Sequence, residues 1–260
     1  DSGVGQTNLR RREVLDCPVA LPSNKTEQSA ISTTLSDADA LIEKFEKLIE
    51  KKKNIKQGVM QELLTGKRRL PGFSGKWEAK EMGEIGKPYG GLSGKIKSDF
   101  GIGNSVYIPF MNIMSNPVID PGYLDIVKIR PGEYQNKAQK SDLFFNGSSE
   151  TPEEVGMCSV LLSDIPNLYL NSFCFGFRLN PDLHADGLFF SYYFRSSVGR
   201  ELIFSLAQGA TRYNLSKTNF LKLKVPYPKP EEQTALSIVF SDMDAEIEKL
   251  EEELAKYQDI

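Results

Sequence analysis

A stretch near the start of this 260-residue chain returns about two hundred residues later, and any fold must accommodate both copies. Residues 5–48 read GQTNLRRREVLDCPVALPSNKTEQSAISTTLSDADALIEKFEKL, and residues 209–254 read GATRYNLSKTNFLKLKVPYPKPEEQTALSIVFSDMDAEIEKLEEEL. Asn8 and Leu9 return as Asn214 and Leu215, and Glu27-Gln28 as Glu232-Gln233. Ser36-Asp37 returns as Ser241-Asp242, and Ile42-Glu43-Lys44 as Ile247-Glu248-Lys249. One residue of slippage falls in a Pro-rich turn. Two copies of a strand, turn and helix module imply a chain that opens near the end of one structural unit and runs through a second.

The helical part of each copy carries an apolar seam. In the first, Ala38, Leu41, Phe45, Leu48, Lys52, Ile55 and Val59 follow one another at alternating steps of three and four. In the second, Phe240, Met243, Ile247, Leu250, Leu254 and Tyr257 do the same. Glu and Lys fill most other positions, so the stripe is only as wide as a helical partner needs, and an antiparallel coiled coil is expected. Ser36 and Ser241, each followed by Asp, are the expected N-caps. The first helix is expected to end near Thr65-Gly66, with Lys67, Arg68 and Arg69 at the negative end of its dipole.

From Leu70 to about Pro230 the pattern changes. Pro and Gly recur, and short apolar runs at Val106–Ile108, Leu124–Val127 and Leu143–Phe145 predict strands. Phe189–Leu206 predicts one amphipathic helix. The fold class is therefore α+β: one globular mixed α/β domain and two long helices. The boundaries expected are a duplicated domain end at 1–30, a first helix at 31–66, a globular domain at 67–230 and a second helix at 231–260. The net charge of −3 argues against a nucleic-acid binder, but the acids concentrate in the helical segments and leave the middle more basic. No run approaches the roughly 18 apolar residues of a spanning helix, and no apolar stretch follows Asp1, so neither a membrane segment nor a signal peptide is expected. Cys17, Cys158 and Cys174 have no zinc spacing and are expected to be reduced core residues in a cytoplasmic protein.

The flanks of the middle region carry a family likeness. The stretch KQGVMQELLTGKRRLPGFSGKWE, Lys56 to Glu78, resembles the end of the central helix and the entry into the second recognition domain of type I restriction-modification specificity subunits. The duplicated Pro-to-Glu-Gln segments, Pro22 to Ile31 and Pro228 to Leu236, resemble that family's exit from a recognition domain into a conserved helix. Inside the recognition domain the likeness is one of outline, as at Gly90-Gly91 and at Phe145 to Ser148. The resemblance implies a target recognition domain that reads double-stranded DNA, helices that dock methyltransferase and restriction subunits, and catalysis in those partners. A usual member has two complete recognition domains, and here the first is reduced to a final piece. The resemblance thus leads us to expect either a natural half-subunit, permuted relative to its relatives, or a truncated product. A two-fold homodimer would supply the second reading head for a bipartite site.

Sequence reading needs exposed polar groups on loops held by a rigid core. The candidates fall in three Gly-rich or basic stretches: Lys87, Tyr89, Ser93, Lys95 and Lys97; Arg130, Tyr134, Asn136, Lys137 and Lys140; and Thr211, Arg212, Tyr213, Asn214 and Lys217. Arg and Asn suit guanine and adenine edges, and Lys suits phosphate. Asn214 has an equal claim to a turn role, because Asn8 holds the same place in the first copy. His184 is the sole histidine and falls in a turn-like NPDLHADG, which leaves no multi-His metal site or triad. GGLSGKIK lacks phosphate-loop spacing, so no cofactor or catalytic site is expected. The competing class is a coiled-coil adaptor whose middle domain binds protein, which the net acidity favours.

Overall fold

The structure, a computed structural model, describes residues 14–209 and 213–258. It divides into a unit of residues 1–50 with 249–260 and a unit of residues 51–248. The expected elements at 5–13, including Asn8 and the Arg10–Arg12 run, lie outside the described residues, as do Thr211 and Arg212.

In chain order the elements are α1 (Lys25–Leu63), β1 (Glu78–Glu81), α2 (Met82–Ile85), β2 (Gly86–Gly90), β3 (Phe100–Ile108), α3 (Phe110–Ser115), β4 (Asp125–Val127), β5 (Leu143–Asn146), β6 (Ser148–Ser149), β7 (Cys158–Val160), β8 (Leu168–Leu170), β9 (Cys174–Leu179), α4 (Gly187–Arg195), α5 (Ser197–Phe204), β10 (Ala207–Gln208), β11 (Tyr213–Leu215), α6 (Lys217–Leu221), β12 (Lys224–Tyr227) and α7 (Pro230–Gln258). The chain is of the α+β class, with two long helices flanking small sheets, and the three strands expected in the middle region are present. No helix among the described residues is long and apolar enough to cross a membrane.

Both long helices start well before the serines expected to cap them. The Asn24 side chain accepts from the Thr26 and Glu27 amides, so α1 opens at Lys25, and α7 opens at Pro230, where a missing N–H costs nothing. The Ser- and Thr-rich run 32–36 stays helical, and Thr34 returns its hydroxyl proton to the Ala30 carbonyl. The other end of α1 stops as expected: Gly66 is left-handed at φ +68°, and the Arg68 amide reaches back to the Glu62 carbonyl.

The seam of α1 needs correcting. Leu41, Leu48 and Ile55 are exposed, whereas Ile42 is half-buried and Ile49 buried. The inward stripe is therefore Ala38, Ile42, Phe45, Ile49, Lys52, Lys56, Val59 and Leu63, with two lysines in it. Within residues 51–248, Lys52 pairs with Glu246 and Lys56 with Asp244, which sets α1 and α7 antiparallel there. Within the other unit, the rings of Phe45 and Tyr257 stack at 5.4 Å. Along the expected seam of α7, Phe240 and Ile247 are buried, Met243, Leu250 and Leu254 half-buried, and Tyr257 exposed.

The largest sheet has the order β2-β9-β5-β7, all antiparallel. Over it lie α4 and α5, which replace the single helix expected at 189–206. Ser196 breaks that helix by adopting an extended backbone, accepting from the Gly199 amide and donating to the Tyr193 carbonyl. Gly199 permits the tight turn, since a Cβ there would lie 2.0 Å from the Tyr193 oxygen. The core is aromatic: Phe145, Phe175, Phe177 and Phe194 all pack on Phe220, with ring centres 4.9 to 5.9 Å from it. Arg195 donates to the Ile113, Met114, Asn116 and Cys158 carbonyls and so closes the end of α3; burial lowers its pKa to about 10.

Cys158 and Cys174 are buried, and burial pushes both thiols up, Cys174 to about 12. Cys17 is exposed, contrary to its expected place in a core. His184 occupies a left-handed turn at φ +48°, and no cluster of metal-ligating side chains occurs among the described residues.

Candidate nucleic-acid interface

The three loops singled out from composition meet at one end of the β2–β9 ladder. There Lys87 lies opposite Arg178, Tyr89 opposite Gly176 and Gly90 opposite Phe175. A Cβ at residue 176 would stand 2.1 Å from the Tyr89 ring, so only glycine lets that tyrosine lie across the strand. The first loop leaves Gly90 and is tied to the second by reciprocal bonds: the Ser93 amide donates to the Gln135 side chain, and the Gln135 amide returns to the Ser93 carbonyl. Asn136 donates to the Gly90 carbonyl at 3.0 Å. From the third stretch, the Lys217 ammonium sits 5.6 Å from the Phe175 ring centre, over the partner of Gly90.

Two charge clusters, the first of them buried, fix this surface. Asp142, 1% exposed, accepts the Tyr89 hydroxyl at 2.6 Å, the Gln139 amide at 2.9 Å and two bonds from Arg178 at 2.7 and 2.9 Å. The Arg178 guanidinium also lies 5.1 Å from the Tyr89 ring centre and donates to the Lys137 carbonyl. Burial, then the Asp142 charge, pushes the Tyr89 hydroxyl far above its usual range. The second cluster centres on Glu133, which accepts from the Arg130 amide, the Lys95 ammonium and the Gln135 amide. The Arg130 amide, then Lys95 and Gln135, lower its pKa to about 2. The turn carried on this carboxylate presents Tyr134, 88% exposed, to solvent.

These clusters sort the candidates by what each can still do. Lys95, its side chain 3% exposed, donates to Glu133 and the Lys128 carbonyl; it is a brace. Tyr89 and Asn136 hold the loops together, and Arg130 is half committed to Asp99 at 2.7 Å. Lys87, Lys97 and Lys140 are exposed with no partner among the described residues, and Lys137 has only Asn167 there, at 3.0 Å. Ser93 is exposed, and Tyr213 and Asn214 pair with Ser149 and Ser148 in the β11–β6 ladder. Residues 67–230 hold 20 Lys and Arg against 15 Asp and Glu, so this end stands on the basic part of the chain.

Because the folded pKa of Glu133 lies below its unfolded value, its stabilising bonds are complete above about pH 4.5 and are lost as the pH falls towards 2. Hydrogen exchange is expected to speed up in residues 130–135 across that window, before the sheet opens. Exchange that rises in both together would show that the carboxylate does not hold the turn.

The sequence profile of the type I restriction modification DNA specificity domain matches residues 75–256. The chain belongs to this family. The fold agrees. The type I restriction-modification system S subunit from M. genitalium superposes with a TM-score of 0.59 at 18% identity, over 96% of this chain and 63% of that one. The HsdS subunit from Thermoanaerobacter tengcongensis superposes with a TM-score of 0.52 at 15% identity, over 99% of this chain and 61% of that one. The chain thus spans less than two thirds of the length of either.

In this specificity-domain chain, the residues that composition missed are those that hold these loops. Asp142, Arg178, Glu133 and Gln135 are single polar letters in strands and turns. Their partners lie up to 53 residues away, as with Tyr89 and Asp142. No local signal marks them.

Proposed function

We propose that this chain is the DNA-reading and scaffolding part of a type I restriction-modification complex. Residues 67–230 are its target recognition domain, and the loops at the Gly90–Phe175 end are the reading face. The observation that carries this reading is that two basic loops are laced together on a braced turn, with Lys217 of the third over the neighbouring end of the β2–β9 ladder, in a chain of the specificity-domain family. Lys87, Lys97, Lys137 and Lys140 contact phosphate, while Tyr134 and the remaining edge of Arg130 approach bases. The chain is non-catalytic; methylation and cleavage belong to partner subunits in the cytoplasm. Its helices pair as an antiparallel coiled coil and dock the methyltransferase subunits. The exposed Leu41 and Leu48, seven residues apart on α1, offer a face of helical period for such a partner or for a second copy that reads the other half of a bipartite site.

Pull-down of the cognate methyltransferase subunit, followed by sequencing of methylated sites, tests this. A split motif supports the reading, a palindromic one supports identical heads, and an asymmetric one rules them out. Loss of methyltransferase capture would overturn the scaffold role. Exchanging Lys87, Lys97, Lys137 and Lys140 together for alanine is expected to lower the slope of log affinity against log salt by roughly 0.9 per lost phosphate contact, about 3.6 in all. An unchanged slope by fluorescence anisotropy would remove these lysines from the interface.

A further inference from the structure

Beside the braced turn is an open cleft of about 370 Å³, walled by Tyr134, Asn136, Gln139, Tyr169 and Arg178. That volume is at the lower end of the roughly 300–1,000 Å³ typical of small-ligand sites. Its chemistry is unevenly used. Tyr169 is 5% exposed, yet its hydroxyl has no hydrogen-bond partner among the described residues and is not sealed in the core. Gln139 leaves its side-chain amide free, and Asn136 uses its NH2 group on Gly90 while its carbonyl oxygen stays open. Tyr134 stands at the rim on a turn held by four hydrogen-bonding groups, counting the Lys128 carbonyl that anchors Lys95. Lys137 adds a cation to the lining, while the charges of Arg178 and Glu133, which also line it, are answered by Asp142 and Lys95.

Donor and acceptor groups along an open cleft, one of them on the buried Tyr169, with an aromatic face at the entrance and the Lys137 ammonium beside it, match one kind of ligand: a flat heterocycle with a hydrogen-bonding edge and an anionic tail. A stacked, paired base cannot enter, because its edge is engaged and its faces are covered. A base swung out of the duplex can, and its unstacking is offset by stacking on a protein ring and by new edge bonds. We propose that this cleft receives one extrahelical base of bound DNA, with Tyr134 against its face and Tyr169, Gln139 and Asn136 at its edge. The proposal rests on the DNA-reading role above and makes the chain a reader of unpaired as well as paired bases.

The test uses the chain alone, so that no methyltransferase moves a base. Duplexes carrying the methylated motif are prepared with 2-aminopurine or a single mismatch at each position in turn. At one position, binding is expected to brighten 2-aminopurine several-fold, and a mismatch there is expected to tighten binding about tenfold, since the unpairing is already done. Tyr134→Ala should abolish the brightening. Tyr169→Phe, which keeps the ring, should erase preference among bases at that position. If the duplex binds with its motif but no position brightens and mismatches only weaken binding, every base stays stacked; the cleft proposal falls and the DNA-reading role stands. If no duplex binds, both fall. Deoxynucleoside monophosphates offered alone form a last arm. Binding that Tyr169→Phe removes but DNA does not displace would assign the cleft to a free nucleotide and overturn the extrahelical base.

Discussion

Replacing Arg69 with alanine is expected to destabilise the protein by about 3–5 kcal/mol, the usual cost of leaving a buried charge without its partner. Glu232, its side chain 2% exposed, accepts two bonds from Arg69 at 2.5 Å and one from the Trp77 indole at 2.9 Å. The guanidinium lies 5.1 Å from the Trp77 ring centre as well, so it packs the indole and neutralises the carboxylate together. With Arg69 gone, one indole N–H must hold a carboxylate that water barely reaches. Trp77 is the sole tryptophan, so its fluorescence in urea reports the same joint that is broken. Converting both partners at once, Arg69→Met with Glu232→Leu, is expected to recover much of the loss, because no charge is then left buried. A single-variant loss below about 1 kcal/mol would mean that water solvates the carboxylate and that the pair behaves as a surface one.

Phe220→Ala is expected to cost a similar amount, about 3–5 kcal/mol, for a different reason. This ring is fully buried and touches four other phenylalanines, at 4.9 Å from Phe145 and 5.9 Å from Phe194, so its removal leaves a cavity among rings that cannot all shift to fill it. It also ties α6 to the main sheet, and α6 begins at Lys217. Stability and DNA affinity should therefore fall together. Phe220→Leu should restore most of both. If calorimetry showed the alanine variant melting within a degree or two of the parent, the cluster would not be the core that its burial implies.

The layout of helix, mixed lobe and helix was legible because it is written in periods and in a repeat, both local properties of the string. The repeat even carried its own error: Ser36 and Ser241 were misread as caps in the same way, and both helices in fact begin 11 residues earlier. The seam of α1 was half legible. Apolar residues stand side by side at Leu41-Ile42 and Leu48-Ile49, so spacing alone could follow either line. What decides is that the inner line runs on through Lys52 and Lys56, whose charges are answered by Glu246 and Asp244. A lysine on a seam looks like an interruption until its partner, some 190 residues away, is known.

The reading surface shows the same limit. Gly-rich and basic composition found the loops, since chain reversals and charge are local. It could not rank residues within them, because Lys95 and Lys97 are the same letter and only tertiary structure commits the first to Glu133. Asp142 and Arg178 went unseen for the converse reason: each is one charged residue in a strand or turn, and its meaning comes from the other and from the Tyr89 ring that Gly176 admits beside them.

At the head of each long helix the same small fastening recurs. Gln28 donates to the Pro22 carbonyl at 2.8 Å, and Gln233 donates to the Pro228 carbonyl at 2.8 Å. Each spans only five or six residues, so closing it sacrifices little chain freedom and asks for nothing distant to be in place. As the polypeptide leaves the ribosome, either knot can tie within its own few residues and point the helix that follows, before a single long-range strand pairing exists.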